Sequence, residues 1–506
     1  MSAFPPPALC PKGSAVQLQV DGAPYLILGG ELHNSSASST SYMRAHVWER
    51  VAEMGCNTVL APVYWELVEP REGEFCFDLV DDLLADARQR GLRLVLLWFG
   101  TWKNGASTYT PAWVKLDGER FFRCESGPGI TTRTLSPFCD AAREADARAF
   151  ARFMQHLAGT DASDRTVVLV QVENEAGLLR GNRDHSPAAE AAYHAAIPKE
   201  LAALLDSPHL LHPDLRADWE RAGARREGNW PEVFGDAADE VFMAWHTAGY
   251  IQRVAAAGRS RYALPCFANA WIVHAPGDRP GVYPSGGPTS RVQALWEWAA
   301  PDIAFLSPDI YLDDFAAVCR EYRRPGRAFF IPEAKRDGDA AANLLCAIGG
   351  YHAIGFAPFG IESMESPLYA ATCRLLREMA PLILEHQGSE RLCAILQRDT
   401  GTETLTLGNY HLSVHYHHPR RPGEATAAAL LLAPQPDHFI VAGFGGIDIN
   451  FTPRTGHARH CDFLSVEEGC FERGVWHPRR RLNGDEYVLR LAEKPTALQA
   501  RLYTYP

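Results

Sequence analysis

Apolar segments of strand length alternate with helix-like segments from about residue 24 to about residue 360. Eight strand segments are present, at residues 25–31, 58–65, 94–98, 167–172, 262–269, 303–309, 328–333 and 353–359. Strands that alternate with helices form parallel sheets, because each crossover returns the chain to the same edge. The sequence therefore predicts an α/β fold, a (β/α)8 TIM barrel with its active site at the carboxyl ends of the strands. An open doubly wound sheet is the rival arrangement, but no glycine-rich phosphate loop follows the first strand.

Two regions depart from this alternation. Residues 181–240 have the appearance of an insertion between the fourth and fifth strands, where loops commonly shape a pocket. After a helix near residues 371–385, short alternating strands are predicted at 402–407, 412–415, 428–432, 439–443 and 487–491, with turns at 419–423 and 483–485. This pattern is typical of a β-sandwich. We predict a barrel domain at residues 1–385 and an all-β, sandwich-like domain at residues 386–506.

Charge and composition narrow the partners and the compartment. The formal net charge of the 506 residues is −12, whereas a nucleic-acid partner requires a basic face. No apolar run approaches the ~18 residues of a membrane span. Because no basic segment followed by an apolar segment opens the chain, we expect a cytoplasmic protein, or a periplasmic one if the N-terminus was processed. The twelve cysteines are scattered and predict reduced thiols without a structural zinc. The oligomeric state is open, with a homodimer as one option.

Two glutamates follow predicted strands. Glu175 comes after the apolar run at 167–172, and Glu333 ends the run at 328–332. In a parallel barrel such strand ends face one opening, where two carboxylates suit retaining glycoside hydrolysis: one protonates the leaving oxygen and the other attacks the anomeric carbon. We predict a glycosidase with Glu175 as acid/base and Glu333 as nucleophile. Charged surface turns are the alternative explanation for both motifs.

Polar and aromatic side chains follow the other predicted strands. The candidate substrate contacts are Asn174, Glu31, Asn34, Trp65, Glu66, Trp102, Lys103, Asn104, Asn269 and Tyr311. Asn174 can hold the 2-hydroxyl of a sugar, an interaction that strengthens in the transition state. Tryptophan also fills protein cores, and composition does not separate the two uses. Lys335 and Arg336 either keep Glu333 ionised or are solvated charges.

Three motifs resemble glycoside hydrolase family 35, the β-galactosidases. The family pattern Gln-x-Glu-Asn-Glu-x-Gly is present at 171–177, Trp-x-x-x-Glu-Pro-x-x-Gly at 65–73 and Gly-x-x-His at 30–33. The resemblance covers about residues 20–365 and implies the same roles for Glu175 and Glu333. Further stretches at 30–39, 307–311 and 355–360 resemble a bacterial branch associated with xyloglucan breakdown, whose members have a small β domain after the barrel. The sequence departs from mainstream members at Glu66, where they carry Asn, and at 331–334, where Ile-Pro-Glu-Ala replaces Thr-Glu-x-Trp.

The resemblance implies a retaining exo-β-galactosidase that removes terminal galactose from xyloglucan-type oligosaccharides. An oligosaccharide is then the expected partner, and no metal or organic cofactor is required. Two alternatives stay open. One is the same chemistry on another β-linked sugar, such as glucose or arabinose, and the other is a catalytically silent sugar-binding protein on the same fold. The presence of both glutamates favours an enzyme.

Overall fold

Eight strands form the closed barrel of this protein, whose computed structural model describes residues 4–398, 401–420, 425–454 and 460–506. They are named in chain order: β1 Ile27–Glu31, β2 Thr58–Tyr64, β3 Arg93–Phe99, β4 Val167–Val172, β5 Cys266–Trp271, β6 Ile303–Ile310, β7 Phe330–Ala334 and β8 Gly355–Pro358. Each strand is hydrogen-bonded to the next in chain order, and the order closes from β8 to β1. The predicted parallel barrel is therefore confirmed.

The barrel strands consist mainly of apolar residues because both of their faces are covered. Every residue of β4 is buried, as is every residue of β3 after Arg93. Parallel register aligns the carboxyl ends of neighbouring strands: Trp98 of β3 lies beside Val172 of β4, and Asn269 of β5 lies beside Ser307 of β6. This register positions the polar residues that follow β4 close to those of β3 and β5.

The chain forms two compact units. Unit 1 comprises Met1–Ala8, Asn34–Met43 and Leu60–Leu312, and unit 2 comprises Leu9–His33, Arg44–Val59 and Asp313–Pro506. Both units supply strands to the barrel. The boundary predicted between residues 385 and 386 rests on the change in sequence pattern, whereas these units are defined by contacts in space. That boundary stays a prediction.

The helices of unit 1 cover its barrel strands, and some of them belong to the predicted insertion at residues 181–240. Two long helices, Asp140–Thr160 and Ala238–Arg259, pack against each other, and the aromatic side chains Phe150 and Phe153 of the first are fully buried. The insertion consists of short helices: Pro187–His194, Lys199–Leu204, Pro213–Arg221 and Trp230–Phe234. The remaining α-helices of unit 1 are Thr40–Tyr42, Trp65–Val68, Asp78–Gln89, Ala112–Leu116 and Gln293–Ala299, and Arg123–Glu125 pairs with Thr131–Leu135.

Unit 2 contains the predicted β-sandwich. One sheet has six strands in the order Leu392–Leu396, Ala428–Gln435, His438–Phe444, Thr496–Tyr505, His460–Glu472, Val475–Leu482, and the other has four in the order Glu403–Leu407, Tyr410–Tyr416, Ile447–Pro453, Leu489–Leu491. Side chains from both sheets, such as Leu431 and Leu412, form one buried apolar core. The predicted turn at residues 419–423 lies partly outside the described residues.

Other parts of unit 2 were less visible in the sequence. Its helices are Trp48–Glu53, Phe315–Tyr322, Ala340–Leu345 and Pro367–His386. Three short strands, Ala8–Lys12, Ala15–Val20 and Ala23–Tyr25, form a sheet that the sequence analysis did not predict. Among the described residues, no helix combines the length and apolar character that a membrane crossing requires.

Candidate active site

The chain segment after β4 holds Glu175 in an unusual backbone conformation. Glu173 and Glu175 both adopt positive φ angles, +64° and +44°. Such angles strain residues other than glycine and persist only where surrounding contacts enforce them, which is frequent at functional sites. Here the Glu175 N–H donates to Asn269 Oδ1 at 3.0 Å, and the Glu175 carbonyl accepts from Gly105 N at 3.0 Å. The backbone of Glu175 is therefore fixed from β5 and from the loop after β3.

The carboxyl group of Glu175 is nearly buried, with 5% of the residue exposed. Asn104 Nδ2 donates to Glu175 Oε2 at 2.6 Å. Asn104 itself has φ of +52°, a conformation that asparagine tolerates better than most residues. The hydrogen bond from Asn104 fixes the orientation of the Glu175 carboxyl group.

A second buried contact fixes Asn174. Lys103 Nζ donates to Asn174 Oδ1 at 2.9 Å, and both residues are buried. The amide nitrogen Nδ2 of Asn174 has no hydrogen-bond partner within the part of the chain that is described. A buried amide without a partner is costly unless a ligand supplies the acceptor. This geometry orients an N–H donor beside Glu175.

Asn269 and Asp309 form the support beneath Glu175 on the β5 and β6 side. Asn269 Nδ2 donates to Asp309 Oδ2 at 2.6 Å, which leaves Asn269 Oδ1 directed to the Glu175 N–H. Asp309 lies one residue before the end of β6 and is buried. No role was predicted for Asp309 from the sequence, although an acidic residue inside a mainly apolar strand indicates a partnered or functional carboxylate.

Glu333 lies in unit 2, at the fourth position of β7, and is 5% exposed. The neighbouring cation Lys335 forms ion pairs with Asp313 at 3.3 Å and Asp337 at 3.1 Å. These two carboxylates raise the pKa of the Lys335 ammonium. Arg336 Nη1 lies 3.4 Å from the carbonyl oxygen of Phe359. The two cations that follow Glu333 therefore have contacts of their own in unit 2.

Glu31 and His33 also lie in unit 2, at the end of β1. Glu31 is buried and bridges to Phe359 in the parallel ladder with β8. The His33 N–H donates to Glu362 Oε1 at 3.0 Å. Glu362, which the sequence analysis did not single out, therefore fixes the chain after β1.

The other predicted contacts occupy mixed environments. Trp65 is fully buried and its Nε1 donates to Glu69 Oε2 at 2.9 Å, and Trp102 packs its ring edge-to-face on Tyr250. Both rings lie in the core. A substrate role for them stays a prediction. Glu66 Oε2 accepts from Lys115 at 2.9 Å. Asn34 Oδ1 is buried and without a partner among described residues, and Tyr311 is exposed just after β6.

A parallel barrel with buried carboxylates at its strand ends, one of them beside a fixed asparagine, has the architecture of the barrel glycoside hydrolases. Residues 17–213, the part of the chain that contains Asn174 and Glu175, match the model of Glycosyl hydrolases family 35. The predicted resemblance to that family is therefore confirmed. Residues 369–492 match a second model, a domain of unknown function (DUF5597).

Relatives of known structure or activity show the same likeness. A β-galactosidase of Xanthomonas manihotis is 29% identical over 199 residues, which span 38% of this chain and 30% of that protein. The structure of a catalytic mutant of Gan42B, a GH42 β-galactosidase from G. stearothermophilus, matches over 94% of this chain and 98% of that protein, with a TM-score of 0.53 and 11% identity. The β-galactosidase of Rahnella sp. R3 covers 71% of this chain and 57% of its own, with a TM-score of 0.46 and 14% identity. The chain thus matches less than a third of its curated relative, and the structural likeness concerns the fold.

Proposed function

We propose that this protein is a retaining exo-β-galactosidase that removes terminal β-linked galactose from xyloglucan-type oligosaccharides. The observation that carries the proposal is the Asn174–Glu175 pair, whose amide and carboxyl groups are each held by one buried or part-buried donor. The family 35 match includes this pair, and the curated relative matched over part of its length is a β-galactosidase.

In the proposed mechanism Glu333 attacks the anomeric carbon while Glu175 protonates the leaving oxygen. The covalent glycosyl-enzyme is then hydrolysed by a water molecule that Glu175, now ionised, deprotonates. Asn174 Nδ2 supports this role because it can donate to the sugar 2-hydroxyl, where hydrogen bonds strengthen in the transition state. The proposal requires the Glu175 and Glu333 carboxyl groups to lie ~5–5.5 Å apart, since ~6.5–9.5 Å is the separation of inverting enzymes.

A panel of aryl β-glycosides tests the reaction and the sugar together. Wild type, Glu175→Gln and Glu333→Gln are compared on galactoside, glucoside and arabinoside. We expect galactoside turnover by wild type and its loss in both variants, with the β-anomer of galactose appearing first by NMR. Turnover of a different glycoside would keep the mechanism and replace the sugar, and first formation of the α-anomer would refute the role of Glu333.

The natural substrate requires a separate measurement. Galactosylated xyloglucan oligosaccharides are incubated with wild type, and galactose release is followed by chromatography. A matched oligosaccharide that lacks the terminal galactose is the control. Turnover of the aryl galactoside without release from xyloglucan fragments would refute the proposed oligosaccharide and leave the hydrolase proposal standing.

A further inference from the structure

A second pair of acidic residues lies directly behind the candidate acid/base. Asp146, on the helix Asp140–Thr160, and Glu173, just after β4, are both buried, with exposed fractions of 0% and 1%. A Cβ placed on Gly100 would lie 2.6 Å from Glu173 Oε1 and 2.8 Å from Asp146 Oδ1, so the two carboxyl groups are direct neighbours. Two carboxylates in contact in a buried site repel each other when both are ionised, so such a pair retains one proton.

The hydrogen-bond donors around the pair indicate which residue carries that proton. Asp146 Oδ1 accepts from Trp98 Nε1 at 2.9 Å, and its Oδ2 accepts from the Thr101 hydroxyl at 2.7 Å and the Thr101 N–H at 3.2 Å. Glu173 Oε2 accepts from the Trp102 N–H at 2.6 Å, whereas no donor reaches Oε1 from the described residues. Because an ionised carboxylate attracts donors, Asp146 is the anion and Glu173 Oε1 holds the proton.

The pair holds the loop that contacts the acid/base. Asp146 and Glu173 accept the backbone N–H groups of Thr101 and Trp102. The next two residues of that loop, Lys103 and Asn104, donate to Asn174 and Glu175. A carboxyl pair behind β3 and β4 therefore fixes the two donors that orient the catalytic residues in front of them.

We propose that Asp146 and Glu173 share one proton, donated by Glu173 Oε1 to Asp146, and that this pair positions Glu175 through the loop at residues 100–104. The pair does not touch the reacting atoms, so both are positioning residues. The inference rests on the proposed function, because it concerns the acid/base of that reaction. The protonation of the pair can be measured without any assay of activity.

The proposal has a defined pH dependence. Burial and the Asp146 charge raise the pKa of Glu173 well above that of an ordinary glutamate, and burial also raises the pKa of Asp146. Among the described residues, the titratable groups shown to act on Glu173 are Asp146 and Tyr250, one from each long helix. Lys103 of the loop donates to the neighbouring residue Asn174. The pKa of the Tyr250 phenol is raised well above its usual value, mainly by burial, so this group stays neutral.

The variant Glu173→Gln isolates the effect of ionising residue 173. The glutamine amide has the shape of the protonated acid, donates to Asp146 and cannot ionise. Because the folded protein keeps a proton on Glu173 that the unfolded chain loses above about pH 4.5, the wild-type folding equilibrium weakens up to tenfold per pH unit above that value, relative to Glu173→Gln. This effect continues until pH reaches the raised pKa of Glu173, and urea unfolding at about pH 5 to pH 8 measures it.

Activity provides the second readout. We expect Glu173→Ala to lower kcat/KM by about tenfold to a hundredfold, because buried donors lose their acceptor. Glu173→Gln should recover most of this loss and retain activity to higher pH than wild type. Asp146→Asn should not be tolerated, since its amide nitrogen would face the donors of Trp98 or Thr101.

Three results would overturn the proposal. The first is a ratio of wild-type to Glu173→Gln folding equilibrium constants that does not change with pH. The second is a kcat/KM of Glu173→Gln as low as that of Glu173→Ala. The third is an Asp146→Asn variant that is better tolerated than Glu173→Gln. If Glu173→Ala does not fold, the wild-type and Glu173→Gln unfolding curves decide alone. If wild type hydrolyses no glycoside, the proposed function fails, while the same curves still test the shared proton.

Discussion

Gly100 should not tolerate even one added methyl group. An ideal Cβ at this position would lie 2.5 Å from Trp98 Nε1, 2.6 Å from Glu173 Oε1 and 2.8 Å from Asp146 Oδ1. The backbone angle of Gly100 is not in the positive region, so the effect of Gly100→Ala comes from these contacts rather than from its conformation.

The expected loss of stability has two parts. Overpacking a buried site costs about 1–3 kcal/mol, and displacing a hydrogen bond to a charged carboxylate costs about 1.5–3 kcal/mol. We therefore expect Gly100→Ala to lower the free energy of unfolding by about 2.5–6 kcal/mol. At roughly 2 °C per kcal/mol for a large domain, the Tm should fall by about 5–12 °C.

Thermal unfolding followed by circular dichroism measures this change. Gly249→Ala is the matched control, because Gly249 lies within the helix Ala238–Arg259 and a Cβ there meets nothing within 4 Å. That control should stabilise the helix by about 0.5–1 kcal/mol. A Gly100→Ala variant that unfolds at the wild-type temperature would refute the close approach of both carboxyl groups to Gly100.

Three further predictions concern the site and its surroundings. Asn104→Asp replaces the amide donor at 2.6 Å from Glu175 with a like charge, so kcat should fall about a hundredfold and the alkaline limb of the pH–rate profile should move to higher pH. Lys103→Met removes the donor to Asn174 and should lower kcat/KM at least about tenfold in steady-state assays. Burial lowers the pKa of His246 to about 4, so stability present above about pH 6.5 should be lost as the pH falls toward 4, by at most about 3 kcal/mol, and His246→Phe should remove this dependence in urea unfolding.

Each of these predictions has a contradicting result. An unchanged pH–rate profile in Asn104→Asp would mean that this amide does not influence the Glu175 proton. Wild-type kinetics in Lys103→Met would mean that Asn174 needs no support from the lysine. Equal pH dependence of unfolding in wild type and His246→Phe would mean that the imidazole is accessible to water in the folded state.

Hydrophobic patterning was sufficient to predict the barrel. Runs such as β4, apolar on both faces, and helices with one apolar face are local features, and their alternation determines the fold class directly. The short strands predicted at residues 428–432 and 439–443 likewise indicated a sandwich, and the structure extends them to Ala428–Gln435 and His438–Phe444. The N-terminal strands Ala8–Lys12, Ala15–Val20 and Ala23–Tyr25 were not predicted, and only the folded chain shows that they pair into a sheet.

For the candidate active site, the sequence indicated some residues and only the structure showed the contacts that hold them. Residue type and position after a strand indicated Asn174, Glu175 and Glu333 from the sequence. Tertiary structure alone decided that Asn104 and Lys103 hold the first two, because those contacts join residues 71 positions apart in the chain.

Only the tertiary structure distinguished buried rings from exposed ones and brought Asp146 to Glu173. Trp65 and Trp102 were candidates for sugar contacts by residue type, but the folded chain places both rings in its core. The pairing of a helix carboxylate with one after β4 has no local signature, since it depends on how a long helix packs against the strand. Sequence periodicity thus determines which segments become strands and helices, whereas burial, desolvation and proton sharing arise only when distant segments meet.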